Sequence, residues 1–153
     1  MLSRTYDNQV CSIARSLEVV GERWTVLILR DAFLGLRRFD EFQRSLGIAR
    51  NVLSDRLDRL VDEGIFERRL YNEHPPRSEY RLTDRGRDLF PTVFSLMRWG
   101  DKHAAPGGPP RVVRHRGCGG AIDDHLRCER CGEALTGREV ETLPGPGAAA
   151  ATR

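Results

Sequence analysis

"RFDEFQRSLGIARNVLSDRLDRLVDEG", residues 38–64, holds two helical patterns separated by a short break. In the second, Leu53, Leu57, Leu60 and Val61 recur at i, i+4, i+7 and i+8, one face of a helical repeat. In the first, Phe39, Phe42 and Leu46 make a shorter apolar stripe. Gly47 stops the first helix, and Gly64 suits the position just past the end of the second, where a left-handed backbone is common. Two helices joined by a turn of about three or four residues read as a helix-turn-helix.

The flanks extend this unit. Upstream, Val10, Ile13, Ala14, Leu17 and Val20 keep helical spacing up to Gly21, and "RWTVLILRDAF" (23–33) is apolar on most sides, as a central helix is. Downstream, "IFERRLYN" (65–72) and "SEYRLTD" (78–84) read as two short strands. "EHPPR" joins them, and its two prolines predict a stiff projecting loop longer than a tight turn. A last long helix is expected over 84–104, capped by Thr83, with the stripe Leu89, Phe90, Val93, Phe94 and Met97. Pro91 inside it predicts a kink or a late start. The pattern is a winged helix-turn-helix, mainly α with a small β-wing.

A helix that buries one face and leaves the other free fits the major groove of DNA. On the free face of the second helix (about 49–63) stand Asn51, Ser54, Asp55, Asp58 and Asp62, with Arg50 near its start. Asn can read adenine, Arg can read guanine and Ser can bond phosphate. Arg37 and Arg38 precede the pair of helices, and Arg68, Arg77 and Arg81 lie on the wing (about 65–83), suited to flanking DNA. Without the three aspartates, these eight residues form the candidate DNA-binding set. A solvated outer face is the competing reading. Residues 37–87 hold 12 arginines against 10 acids, a net of +2, and Arg56 and Arg59 could pair with Asp55, Asp62 or Glu63 on their own helix. On that reading the domain is a protein-binding adaptor.

"APGGPPR" (105–111) reads as a linker, and the tail "PGPGAAAATR" (144–153) as disordered. Between them lies "HRGCGGAIDDHLRCERCGEAL" (115–135), with His115, Cys118, Cys128 and Cys131 spaced H-x2-C-x9-C-x2-C. Ligands two residues apart and followed by glycine form knuckles that aim both side chains at one ion. Two knuckles supply four N/S ligands in a closed tetrahedral set, the arrangement of structural zinc. "DDHLR" suits a hairpin tip. His125 is a rival fourth ligand. Redox cycling of "CERC" would require a thioredoxin-like βαβ context that the pattern lacks, and a degenerate ribbon without metal is the other alternative. The expected division is 1–104 for the winged helix, 105–111 linker, 112–143 a small β zinc ribbon and 144–153 tail.

The chain of 153 residues is 39% hydrophobic and 31% charged, with net charge +3, a profile that permits a nucleic-acid partner without requiring one. No apolar run approaches the ~18 residues of a membrane span, and no signal-peptide core is visible, so the expected place is the cytoplasm, where clustered thiols more often bind metal than form disulfides. No nucleophile–base–orienter set or phosphate loop appears, so no enzyme activity is expected.

The order "CSIARSLEVV", "GERWT", "RRFDEF", "LSDRL", "EYRLT" and "RWG", from Cys11 to Gly100, resembles the HxlR-type family of bacterial winged-helix regulators, related to the MarR group. The resemblance implies a homodimeric regulator of transcription on double-stranded DNA, read here as a repressor on a near-palindromic operator. It implies a dimer seam from the first and last helices, with Leu89, Val93, Leu96, Met97 and Trp99, and recognition helices about one DNA turn (~34 Å) apart. It also makes Cys11 a candidate redox sensor, since some members sense oxidants or electrophiles there, and it leaves room for a small-molecule effector. Ala49 departs from the Ser or Thr usual at the start of the recognition helix, and costs a cap of about 1 kcal/mol.

Overall fold

The computed structural model describes residues 5–148. In chain order it contains α1 (Ser12–Val20), α2 (Arg23–Phe33), α3 (Phe39–Leu46), α4 (Arg50–Asp62), β1 (Phe66–Glu73), β2 (Pro76–Leu82), α5 (Asp84–Arg87), α6 (Phe90–His103), β3 (Arg111–His115) and β4 (Val140–Pro144). The chain divides into two units, Met1–Arg87 and Asp88–Arg153. Among the described residues no helix is long and apolar enough to cross a membrane.

The first unit is a winged helix. Its core is built by the periodic residues of the opening motif: Leu53, Leu57 and Leu60 of α4 are buried with Phe42 of α3, Ile28 and Leu29 of α2, and Ile65, Phe66 and Tyr80 of the wing. The Phe66 ring lies 6.3 Å from Phe42 and 6.4 Å from Tyr80. The turn between α3 and α4 is Gly47–Ala49; Gly47 sits at φ 62 and donates its N–H to the Gln43 carbonyl at 2.9 Å. Glu22 begins α2 as its cap, accepting from the Trp24 and Thr25 amides at 2.9 and 3.3 Å.

The wing is an antiparallel pair running from Phe66↔Leu82 to Glu73↔Pro76, with an irregularity between Leu70 and Asn72. Its turn is therefore only His74 and Pro75, not the long projecting loop expected from "EHPPR". Pro76 occupies the terminal rung, where its missing N–H breaks no interior ladder bond. Arg38 also bridges to Glu79, and the Tyr80 amide donates to the Arg37 carbonyl at 2.7 Å, so the segment before α3 is fastened to β2.

Thr83 caps a helix as expected, but a short one. Its hydroxyl donates to the Gly64 carbonyl at 2.5 Å and accepts from the Gly86 amide at 3.1 Å, starting α5. The helix then breaks, and α6 restarts at Phe90 with Pro91 in its first turn. Of the two outcomes expected from Pro91 the late start is the one seen, because a proline N–H is not needed in the first turn.

The second unit pairs β3 with β4, from Arg111↔Pro144 to His115↔Val140. Its core joins Phe94 of α6 to Ile122, Leu126, Cys128, Leu135 and Val140, flanked by Phe90, Met97, Val113 and Cys118. The unit boundary thus falls before α6, not in the 105–111 segment that its composition marked as a linker. Phe90, Phe94 and Met97 find their apolar partners in the C-terminal segment. Arg111 belongs to β3, and Pro109 and Pro110 accept from the Gly147 and Gly145 amides at 3.1 and 2.8 Å. Pro144 to Ala148, expected to be disordered, are therefore held in place; the rest of that tail, 149–153, lies outside the described residues.

Candidate nucleic-acid interface and metal centre

The α4 helix turns Leu53, Leu57 and Leu60 inward and exposes Asn51, Asp55, Asp58 and Asp62, with Ser54 half-buried. Ala49 is its N-cap and makes no side-chain cap bond. Arg50 is exposed, its guanidinium 4.8 Å from the centre of the Phe39 ring. Arg38 lies 4.5 Å over Tyr71, a cation–π contact that links the start of α3 to the wing. Arg37 and Arg77 are exposed.

The other wing arginines are already matched, Arg69 by Glu67 at 2.6 Å. Arg68 is ion-paired with Asp58 of α4 and lies 5.4 Å over the Tyr80 ring, and Arg81 binds Glu79 at 2.6 Å. Arg56 and Arg59 do not pair along their own helix as the solvated-face reading held. Arg56 reaches the α2 cap Glu22 at 3.1 Å, and Arg59 donates to the Glu18 carbonyl of α1. Both belong to the scaffold of α4. Glu41 accepts from the Arg37 and Arg38 amides, both at 2.9 Å, and these bonds hold its carboxyl below the usual range. The acid at the start of α3 is therefore a cap and not a repulsive charge on the surface.

Cys11 is the exposed N-cap of α1. Val10, Ile13 and Leu17 near it are exposed at 98%, 71% and 44%. Along α6, Leu96 and Trp99 are exposed at 56% and 61%, and Leu89 and Val93 are half-buried. Met97, counted with the seam on the resemblance, packs against the ribbon core.

In the second unit His115, Cys118, Cys128 and Cys131 converge, their ligand atoms all within 4.8 Å of one another. His115 Nδ1 lies 3.3 Å from Cys118 Sγ and 3.4 Å from Cys131 Sγ, and the Cys118 and Cys128 sulfurs are 3.4 Å apart. His125, the rival ligand, is exposed at the hairpin tip, outside the group; its amide donates to Asp123 at 2.8 Å. Each knuckle is closed by a glycine with positive φ. Gly119 donates to the His115 carbonyl at 2.7 Å and Gly132 to the Cys128 carbonyl at 2.8 Å.

Backbone amides set the sulfur chemistry. The Cys131 and Arg130 amides bond to Cys128 and bring its thiol down to about 6. At Cys118 the Gly120 amide acts downward, but burial and the Cys128 and Cys131 sulfurs outweigh it and leave the thiol raised. Gly120 is a cradle: a Cβ there would meet Cys128 Sγ at 2.4 Å and Arg130 Cβ at 2.8 Å. Arg130 donates to the Cys118 carbonyl at 2.7 Å, tying one knuckle to the other. Arg116 and Arg127 likewise donate to the ribbon's own carbonyls, of Val140 and Gly132. The donor set, its separations and the glycine cradle fit one tetrahedral metal ion.

Two parts of this centre were not foreseen. Glu133 Oε2 faces His115 Nε2 at 3.7 Å, the nitrogen left over once Nδ1 points at the sulfurs. That separation is too long for a hydrogen bond, but a carboxylate beside Nε2 favours the proton there and leaves Nδ1 free to face the sulfurs. Gly120 was legible only as the second glycine of "CGG" (118–120). Glu133→Gln is expected to weaken metal affinity by roughly tenfold with the fold retained. Competition with a chromophoric chelator checks this, and an unchanged affinity would remove Glu133 from the centre.

A buried helix pair with a free second helix and a two-stranded wing defines a winged-helix DNA-binding protein, here carrying a Cys3His cluster in a separate unit. The HxlR-like helix-turn-helix family matches residues 19–107, and the chain belongs to that family of DNA-binding transcription regulators. It is 51% identical to the uncharacterised HTH-type transcriptional regulator Rv3095 of Mycobacterium tuberculosis, over 95% of this chain and 92% of that one. The crystal structure of the transcription-factor candidate PA1607 matches at TM-score 0.70 and 38% identity, covering 89% of this chain and 96% of that one. The reduced form of the redox regulator HypR matches at TM-score 0.57 and 33% identity, covering 60% of this chain and 92% of its own. The likenesses to Rv3095 and PA1607 therefore run into the C-terminal unit, whereas HypR is nearly used up by a shorter match.

Proposed function

We propose that this regulator acts as a homodimeric repressor on a near-palindromic double-stranded operator, with α4 in the major groove and the wing on flanking DNA. The observation that carries the reading is the free outer face of α4 beside Arg50 and Asn51, on a helix whose opposite face is fully buried. Arg50, Asn51 and Ser54 read bases or their adjoining phosphates. Arg37, Arg38 and Arg77 carry phosphate contacts, while Arg68 and Arg81 contribute less because Asp58 and Glu79 neutralise them. The second copy covers Leu96 and Trp99 of α6, with Leu89, Val93 and Met97 alongside, and the exposed Val10, Ile13 and Leu17 of α1 also call for cover.

The Cys3His centre holds zinc as a structural ion. Zn–S bonds of about 2.3 Å and a Zn–N bond of about 2.0–2.1 Å set ligand atoms roughly 3.5–3.8 Å apart in a tetrahedron, near the separations of His115 Nδ1 and the sulfurs. Four protein ligands leave no open position, so the ion contributes folding energy and no chemistry of its own.

A gel shift on the chain's own upstream region, titrated with salt, tests the DNA reading. Affinity falls steeply with salt. Arg50→Ala or Asn51→Ala costs about 1–3 kcal/mol and relaxes specificity, and Arg77→Ala weakens all sequences alike. A folded dimer that shifts no DNA at any salt would favour the adaptor reading, for which the exposed Asp55 and Asp62 of α4 speak. Cys11 enters as an exposed thiol on α1, with support from the likeness to HypR. Peroxide should change the shift of the wild type and not of Cys11→Ser, and equal responses would discard the sensor.

A further inference from the structure

The helix α6 and the ribbon lack separate cores. Phe94 is 3% exposed, and the other five buried members of its cluster, Ile122, Leu126, Cys128, Leu135 and Val140, all come from the C-terminal segment. Phe90 packs the same way: a Cβ on Gly137 would sit 2.9 Å from its ring, so glycine lets the ribbon backbone close on the helix. Arg98 of α6 binds Asp124 at the hairpin tip at 2.9 Å. Two of the four metal ligands, Cys118 and Cys128, are themselves members of this apolar contact.

Neither partner stands well alone. A 14-residue helix is marginal in water without a packed face, and a lone two-stranded pair is no better. Beyond β3 and β4 the segment is closed, among the described residues, by three isolated bridges, three arginine–carbonyl bonds and the four clustered ligands, which lie at its centre. We infer that the metal-loaded ribbon is the folding partner of α6, so that metal occupancy decides whether this helix is formed and whether Leu96 and Trp99 are presented to a second copy. The inference rests on the zinc reading of the Cys3His centre and adds to it a control over the helix on which the proposed dimer depends.

Hydrogen exchange on the full chain tests it, with zinc bound, after chelation, and in Cys131→Ser. Cys131 is exposed, so that variant removes a ligand and leaves the apolar cluster whole. Metal loss is expected to reduce amide protection across Phe90–His103 by roughly tenfold or more, while α2 and α4 keep theirs as an internal control. Coupling is reciprocal, so Phe94→Ala should loosen zinc by a similar factor although Phe94 is no ligand. Cobalt(II) substitution reports tetrahedral thiolate binding independently. If neither zinc nor cobalt binds, the zinc reading fails and takes the inference with it. If metal binds, yet its removal leaves α6 protection unchanged and Phe94→Ala holds zinc as tightly as wild type, the coupling is overturned and the metal site stands.

Discussion

Cys128→Ser is expected to yield protein without metal and with its C-terminal unit unfolded, while the winged helix persists. Cys128 is at once a ligand and a core residue, 2% exposed within the Phe94 cluster. Serine is a poor zinc ligand, and its hydroxyl would be buried among Ile122, Leu135 and Val140. Structural zinc contributes on the order of 10–16 kcal/mol in small zinc domains, comparable to the whole stability of an ordinary domain. The five-residue strands β3 and β4 cannot replace that. Metal analysis with near-ultraviolet circular dichroism checks the outcome. Stoichiometric zinc with unaltered dichroism would strike Cys128 from the ligand set. Acid should act in the same direction, because protons compete for the thiolates, so zinc affinity falls as pH falls.

Phe66→Ala should cost the first unit about 3–5 kcal/mol, a large share of the 5–15 kcal/mol typical of a domain. Phe66 is buried at the first rung of the wing, between Phe42 of α3 and Tyr80 of β2. Its removal opens a cavity where the wing meets the helix-turn-helix, and a rigid junction there cannot collapse to fill it. Urea unfolding followed by helical dichroism gives the number, and operator binding should fall in proportion to the unfolded fraction. A loss below about 1 kcal/mol would mean that the site relaxes around the gap.

Both effects fall on residues whose roles were visible to different degrees. Leu53, Leu57 and Leu60 announced α4 by spacing alone, Gly47 and Gly64 marked its neighbours, and Pro91 left a kink or a late start, of which the late start is seen. Such features are local: periodicity and turn chemistry are written within a few residues and survive in any tertiary context. The Cys3His cluster was legible for the same reason, because a knuckle needs its two ligands two residues apart whatever surrounds it. The choice of His115 over His125 followed from that spacing, and the clustering of ligand atoms agrees with it.

Other features needed the folded chain. Arg68 and Arg81 have the composition of a DNA-facing wing, yet Asp58 and Glu79 lie against them, and only the hairpin register and its approach to α4 decide that. Arg56 and Arg59 have suitable partners at helical spacing and bind Glu22 and Glu18 instead. Glu133 and Gly120 join the metal centre because β3 and the second knuckle bring them there.

Short-range stereochemistry made most helical segments legible, together with the four side chains that cluster at 115–131, although it ran α5 and α6 together as one helix. Which surface receives an apolar stripe is a long-range matter. The stripe of α6 reads equally well as a seam or as a core, and only the tertiary structure gave Phe90, Phe94 and Met97 to the ribbon and left Leu96 and Trp99 in water. Burial is non-directional, so an apolar face carries no label for its partner.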